Sequence, residues 1–202
     1  MTDGNRWLQL KDSEPGHAQW YIERFRTMAA DGHDLDGEAR FVDAMVERGS
    51  HILDAGCGPG RVGAALFARG HDVVGVDLDP ELIAAAQTDH PGPTWLVADL
   101  AALDLPAVGI DEGFDVVVAA GNVMAFLDPD TRVPVLAALG RHLRPDGRIV
   151  AGFGAGRGYP YHDFSADVAA ADLEVQLRLA TWDLRPFTDD ASFLVAVLGR
   201  TE

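Results

Sequence analysis

Asp54, Gly56, Gly58, Gly60 and Gly63 fall together in the stretch HILDAGCGPGRVG, residues 51–63, and Asp77 stands 21 positions after Gly56. Glycine at this density weakens any regular element it interrupts. Its use is to let something approach the backbone closely. A carboxylate at the end of a second strand can accept both hydroxyls of a ribose, and a helix opening after the glycines offers its positive N-terminus. So far the spacing fits any nucleotide-type ligand, a nicotinamide dinucleotide included. Asp54 separates the choices. It precedes the first glycine by two positions, where dinucleotide sites carry an apolar residue. A carboxylate beside a diphosphate costs on the order of a kcal/mol in a partly buried site, whereas beside a cation it is favourable. The residues therefore ask for an adenosine at one end and positive charge near the loop.

These groups need a scaffold, and the hydrophobic pattern supplies one. Residues 1–16 read as a loose tail broken by Gly4, Pro15 and Gly16. Residues 17–30 fit a helix with Tyr21, Phe25 and Met28 on one stripe, and residues 38–49 a second helix. From 51 onward strands and helices alternate. Strands are expected at 51–55, 72–77, 94–99, 114–121 and 148–154, with helices at 60–70, 80–90 and 129–143 between them. Asp79 caps the helix that Pro80 opens. Residues 144–147, RPDG, read as a turn. A short helix near 163–173 then leads to two β-rich runs, 173–184 and 192–200, read as a hairpin whose second arm is antiparallel to the rest. Alternation with continuous apolar runs such as VVVAA argues for an α/β fold: a doubly wound, mostly parallel sheet with helices on both faces. Residues 1–48 are expected to form the tail and capping helices of a single domain, and 49–202 its ligand-binding core.

The chain of 202 residues has a formal net charge of −16, with one lysine, Lys11, against fifteen arginines. Nucleic-acid partners are disfavoured, because they need a basic footprint. No apolar run is long enough to span a membrane, and the polar N-terminus lacks the pattern of a signal peptide. The single Cys57 forms no internal disulfide, so a cytoplasmic location is expected, as a monomer or homodimer.

Four ordered motifs carry a resemblance. DAGCGPG resembles the D/E-x-G-x-G-x-G loop of class I S-adenosylmethionine-dependent methyltransferases, and VVGVDLDPELIAAA, VADL and FDVVVAAGNVMAFL resemble the segments after that family's next three strands. LRPDGRIVAGF is similar to its turn before the fifth strand, with Asp146 in place of the first glycine. The resemblance implies a Rossmann-like fold of seven strands and S-adenosyl-L-methionine as cofactor, a cation without phosphate. It places Asp54, Gly56, Cys57 and Gly58 at the methionine part, Asp77 and Leu78 at the ribose, and Asp99 and Leu100 at the adenine. Gly121 and Asn122 fall near the sulfonium, while Arg61, Tyr21 and Arg26 are candidates for the cofactor carboxylate.

The methyl acceptor leaves a weaker trace. The transfer needs alignment and exclusion of water, and a base only when the acceptor must lose a proton. Asn122, Tyr159, Tyr161, His162 and Asp183 are the acceptor-side candidates, His162, Tyr161 and Asn122 foremost. AGNVM lacks the [D/N]-P-P-[Y/F] signature of enzymes acting on DNA adenine or protein glutamine. His33, Asp34 and Asp36 match no metal-ligand spacing, so no metal is expected. A small-molecule methyltransferase is the leading reading. A nicotinamide-dependent oxidoreductase and a non-catalytic S-adenosylmethionine-binding protein stand beside it.

Overall fold

The computed structural model describes residues 4–201. Seven strands form one sheet: β1 (His51–Ala55), β2 (Asp72–Asp77), β3 (Thr94–Val97), β4 (Phe114–Ala119), β5 (Leu143–Gly154), β6 (Leu173–Leu179) and β7 (Phe193–Arg200). Their spatial order is β3-β2-β1-β4-β5-β7-β6. The first five strands are parallel, and β7 inserts antiparallel between β5 and β6. The strand order reverses at β1 and β4, so the loops after these two strands open a crevice at their carboxyl ends. This is the expected doubly wound sheet with its antiparallel C-terminal strand.

Eight helices flank it among the described residues: α1 (Arg6–Ser13), α2 (His17–Ala30), α3 (Gly37–Asp43), α4 (Arg61–Phe67), α5 (Pro80–Asp89), α6 (Val123–Phe126), α7 (Arg132–Arg141) and α8 (Tyr161–Ala170). Strand alternation divides the core. Leu53, Val117, Ile149 and Ala196 pack on the α7–α8 side. Ile52, Val116, Val118, Val150 and Val197 pack on the α4 side with Leu66 and Phe41. Because side chains alternate faces, Asp54 is delivered to the same side as Ile52, beneath α4.

Several elements differ from expectation for identifiable reasons. The N-terminal tail contains α1, nucleated by Asn5, whose side chain accepts from the Trp7 and Leu8 N–H groups at 3.0 and 3.3 Å. The helix expected to reach 49 ends as α3 at Asp43, where Met45 N–H bonds to Val42 carbonyl at 2.9 Å and tightens the turn. The third and fourth strands stop short, at Val97 and Ala119; after the latter, Gly121 and Asn122 take left-handed φ values of 69° and 70°. Residues 144–147, expected as a turn ahead of the strand, instead bulge within β5, since Phe114 pairs with Leu143 and Val116 with Arg148. β6 ends at Leu179, which leaves Trp182 and Asp183 in the following turn.

α1 is clamped to the sheet domain by one buried carboxylate. Asp79, 1% exposed, accepts from Trp7 Nε1 at 2.8 Å, from Lys11 Nζ at 2.9 Å and from the Glu81 N–H of α5 at 2.9 Å. It is at once the cap of α5 and the anchor of α1. Asp79→Ala is expected to lower stability by about 2–4 kcal/mol, combining a lost cap with an unpartnered buried indole N–H. Urea unfolding checks the magnitude, and faster amide exchange confined to residues 6–13 checks the mechanism. A loss below 1 kcal/mol would show that α1 is held by other contacts.

Candidate cofactor cleft and acceptor cavity

The glycine loop is zipped to β2. Gly56 and Cys57 N–H groups both donate to Val76 carbonyl, at 2.8 and 2.9 Å, Gly58 N–H donates to Asp77 Oδ2 at 2.9 Å, and Gly60 N–H to Cys57 carbonyl at 3.0 Å. These amides are spent inside the protein. A phosphate-binding loop needs such N–H groups free to face the ligand, and here they are not.

The four glycines divide by task. A β carbon at Gly56 would meet the Val123 side chain at 2.6 Å, and one at Gly58 would reach the Tyr21 ring at 3.7 Å. Both residues line a narrow cleft of about 70 Å³, with Asp77, Leu78, Leu100 and Gly121. Gly60 and Gly63 face inward instead. A β carbon at either would lie within 3.0 Å of the Trp95 ring. Gly63 also admits Asp54, whose Oδ2 accepts the Gly63 N–H at 2.8 Å.

Two carboxyls lie buried at this loop, and among the described residues neither pairs with a cation. Burial raises Asp54 from the usual 3.8 to about 7, against the Gly63 N–H that lowers it. Burial likewise raises Asp77 to about 6, opposed by the Asp79, Gly58 and Leu78 N–H groups. A carboxylate has about four acceptor positions, so these three amides still leave Asp77 with some capacity at the cleft it lines. Hydroxyl donors and a nearby positive charge would relieve both groups; a diphosphate would aggravate both. The residues present therefore fit a cationic adenosine-type ligand.

A wider cavity of about 640 Å³ adjoins the cleft. Trp7, Tyr21, Gly121 and Phe126 line both spaces and form the junction. Trp7 meets Tyr21 and Phe126 edge to face, with ring centroids 5.3 and 6.2 Å apart. This aromatic cap covers the cleft, which is far smaller than the roughly 300–1,000 Å³ of ligand sites.

The expected site residues separate accordingly. Asp77, Leu78, Leu100, Gly56, Gly58, Gly121 and Tyr21 come together around the cleft. Asn122 lines the wider cavity, with its Oδ1 taken by Gly154 N–H at 2.8 Å. Arg61 lines that cavity too, held by Glu38 at 2.6 and 2.9 Å and by Leu35 carbonyl. Asp99 accepts from Ala101 N–H at 2.9 Å and lines neither space.

Other residues are placed elsewhere. The Cys57 thiol turns into a cluster with Ile83, Ala86 and Trp95, where burial pushes its pKa up. Arg26 ties α2 to α5 on the surface, through Asp89 at 2.8 and 3.0 Å. His162 is exposed beside Asp163. Tyr161 packs on Phe153 and Phe187. Tyr159 is buried, its hydroxyl donating to Asp167 at 2.7 Å. Asp183 lines a groove on another face, with Arg40 and Leu184. None of these side chains lines the cleft or the adjoining cavity. Asp34 and Asp36 are engaged by Arg40 and Arg69. Sequence reasoning missed Trp7 and Phe126. An asparagine cap ahead of an amphipathic NRWLQLK run was the available signal for the first.

Asp54 generates a pH prediction. Its carboxyl binds its proton more tightly folded than unfolded, so its contribution favours folding below about pH 4 and is lost as pH rises toward 7. Asp54→Asn removes that loss. Relative to wild type, the variant should gain about 1–4 kcal/mol between pH 5 and 8.5 in urea unfolding of the ligand-free protein. A constant difference across that range would contradict the raised proton affinity that burial gives Asp54 despite the nearby Arg61 charge.

Comparison with known proteins agrees with this geometry. A family model described as "Methyltransferase domain" matches residues 52–147. A TehB-like S-adenosylmethionine-dependent methyltransferase from Corynebacterium glutamicum is 48% identical, with a TM-score of 0.87 over 93% of this chain and 100% of that one. An uncharacterized methyltransferase of Mycobacterium tuberculosis is 37% identical over 111 residues, 54% of this chain and 53% of the relative. A trans-aconitate 2-methyltransferase from Azoarcus is 33% identical over 141 residues, 65% of this chain and 53% of that protein. The alignments thus span about half the length of these curated relatives. The near-complete match in sequence and fold displaces the oxidoreductase reading, and this chain belongs to the class I S-adenosylmethionine-dependent methyltransferases.

Proposed function

We propose that the protein transfers a methyl group from S-adenosylmethionine to a small molecule seated in the 640 Å³ cavity. The observation that carries this reading is Asp77: a buried carboxylate with acceptor capacity left over, at the floor of a cleft whose loop amides are closed to phosphate. Asp77 would hold the ribose hydroxyls, with Leu78 and Leu100 as the apolar walls for adenine. Asp54 would act through the field beneath the loop, favouring a cation above it without touching it. Bound there, the cofactor supplies a methyl group activated by a sulfonium.

The protein's part at the junction is alignment and desolvation. Of the residues that line both spaces, only Tyr21 titrates, and burial raises its phenol. No group there is set to accept a proton near neutral pH. Trp7, Tyr21 and Phe126 exclude water around the transfer, which is where proximity and a dry site contribute most. No helix among the described residues is long and apolar enough to cross a membrane. A small acceptor also accords with the relative named for trans-aconitate.

Calorimetry with S-adenosylhomocysteine tests the cofactor assignment. Asp77→Asn keeps the volume but sets an NH2 against the Gly58 or the Asp79 N–H, so it should weaken binding by about 1–3 kcal/mol and also lower stability, which urea unfolding of the same variant measures. Equal affinity in the folded variant would remove Asp77 from the site. Tight binding with no transfer to any acceptor in a broad screen would favour a cofactor-binding protein without catalysis.

A further inference from the structure

The wider cavity combines aromatic walls with unpaired positive charge. Its walls are flat and aromatic, with Trp20, Phe25, Phe126, Trp182 and Phe193 all facing it. Its charges are unbalanced in a protein whose net charge is −16. Both carboxylates on its lining are already neutralised, Asp34 by Arg40 at 2.8 Å and Glu38 by Arg61 at 2.6 Å. Two of its three guanidinium groups are not. Arg24 lies over the Trp20 and Phe25 rings, at 5.8 and 5.9 Å, with no anionic partner among the described residues. Arg157 has none either.

Arg157 stands at the end of the cavity that matters for transfer. A β carbon placed on Gly154 would lie 3.1 Å from Arg157 Nε and 3.5 Å from Asn122 Oδ1. Arg157 and Asn122 thus flank the same point at the end of β5, beside Gly121 and Phe126 of the junction. Within the cavity the third guanidinium, Arg61, is held by Glu38, which leaves Arg24 and Arg157 as the cations on its lining without a carboxylate partner among the described residues.

We infer that the acceptor is an organic carboxylate with a planar apolar body, its carboxylate held by Arg157 beside the transfer point and its ring system lying among Trp20, Phe25 and Trp182. Arginine presents a planar fork that matches a carboxylate in two bonds. The aromatic walls and the stacked Arg24 suit a flat π-system. A cavity of about 640 Å³ is the size of an organic ligand site and far exceeds what an inorganic oxyanion fills. This inference rests on the reading of the cleft as the methyl-donor site only for the direction in which the carboxylate points.

The test is binding of 2-naphthoate to the full chain saturated with S-adenosylhomocysteine, beside 2-naphthamide as the neutral isostere and sulfate as the anion without a ring. Naphthoate should bind at least about tenfold more tightly than naphthamide, and Arg157→Gln should abolish that preference, while Arg157→Lys restores part of it. Arg24→Gln should weaken both ring compounds by about threefold. The affinity for S-adenosylhomocysteine should stay within about twofold in every variant, since neither arginine lines the cofactor cleft. Equal binding of acid and amide, no effect of Arg157→Gln, or sulfate competing as well as naphthoate would each overturn the inference. If S-adenosylhomocysteine fails to bind and naphthoate still binds in an Arg157-dependent way, the methyl-donor reading falls and the carboxylate assignment stands.

Discussion

The site depends on the hydrogen bond from Gly58 N–H to the Asp77 carboxylate, and on the two neighbouring amides that close onto Val76. Together they pin the glycine loop to the end of β2. The loop cannot then turn its N–H groups outward, so it offers no cradle for phosphate. What it presents to the cleft is a carboxylate, held in place by amides yet too buried to ionise at its usual pH. A buried carboxyl in that condition favours donors and positive charge. Asp54, one strand over and under the same loop, adds a second demand of the same sign. In the function proposed here, this pair selects the ligand's charge more than the glycines do.

The glycines nevertheless decide whether the pair can exist. Trp95 reaches across from β3 and fills the space above Gly60, Gly63 and Gly75; a β carbon at Gly75 would stand 2.2 Å from its ring. That indole seals the back of the loop, with Nε1 donating to His90 carbonyl at 2.9 Å. Gly63 lets the Asp54 carboxyl reach a helix N–H that a side chain would obstruct. Only Gly56 and Gly58 serve the cleft itself. A run of four glycines that reads as one feature is two: a half lining the cleft and a half packed against tryptophan.

The amino-terminal elements show where legibility stopped. Breakers at Gly4, Pro15 and Gly16 suggested a tail, but Asn5 caps a helix between them, and Asp79 holds it through Trp7 and Lys11. Local composition did not reveal this, because the stabilising contacts come from about seventy residues away. His162 and Tyr161 follow the fifth strand in sequence, yet neither lines the cleft or the adjoining cavity; His162 is exposed and Tyr161 packs on Phe153 and Phe187. Arg26, on the outer side of its helix, found Asp89 of α5 instead of a ligand.

The sequence by itself determined the strands, their alternation with helices, the antiparallel last strand, and the positions of Asp54, the glycine loop, Asp77 and Leu100. Periodicity and the spacing of charged residues at strand ends carry that information locally. Only the tertiary structure decided which glycines line the cleft, that Asp54 lies beneath the loop, that Cys57 points into the core, and that Trp7 covers the cleft. Those facts depend on which side chains from distant segments compete for the same space and the same backbone N–H groups. That competition is settled by packing, and no single segment contains both contestants.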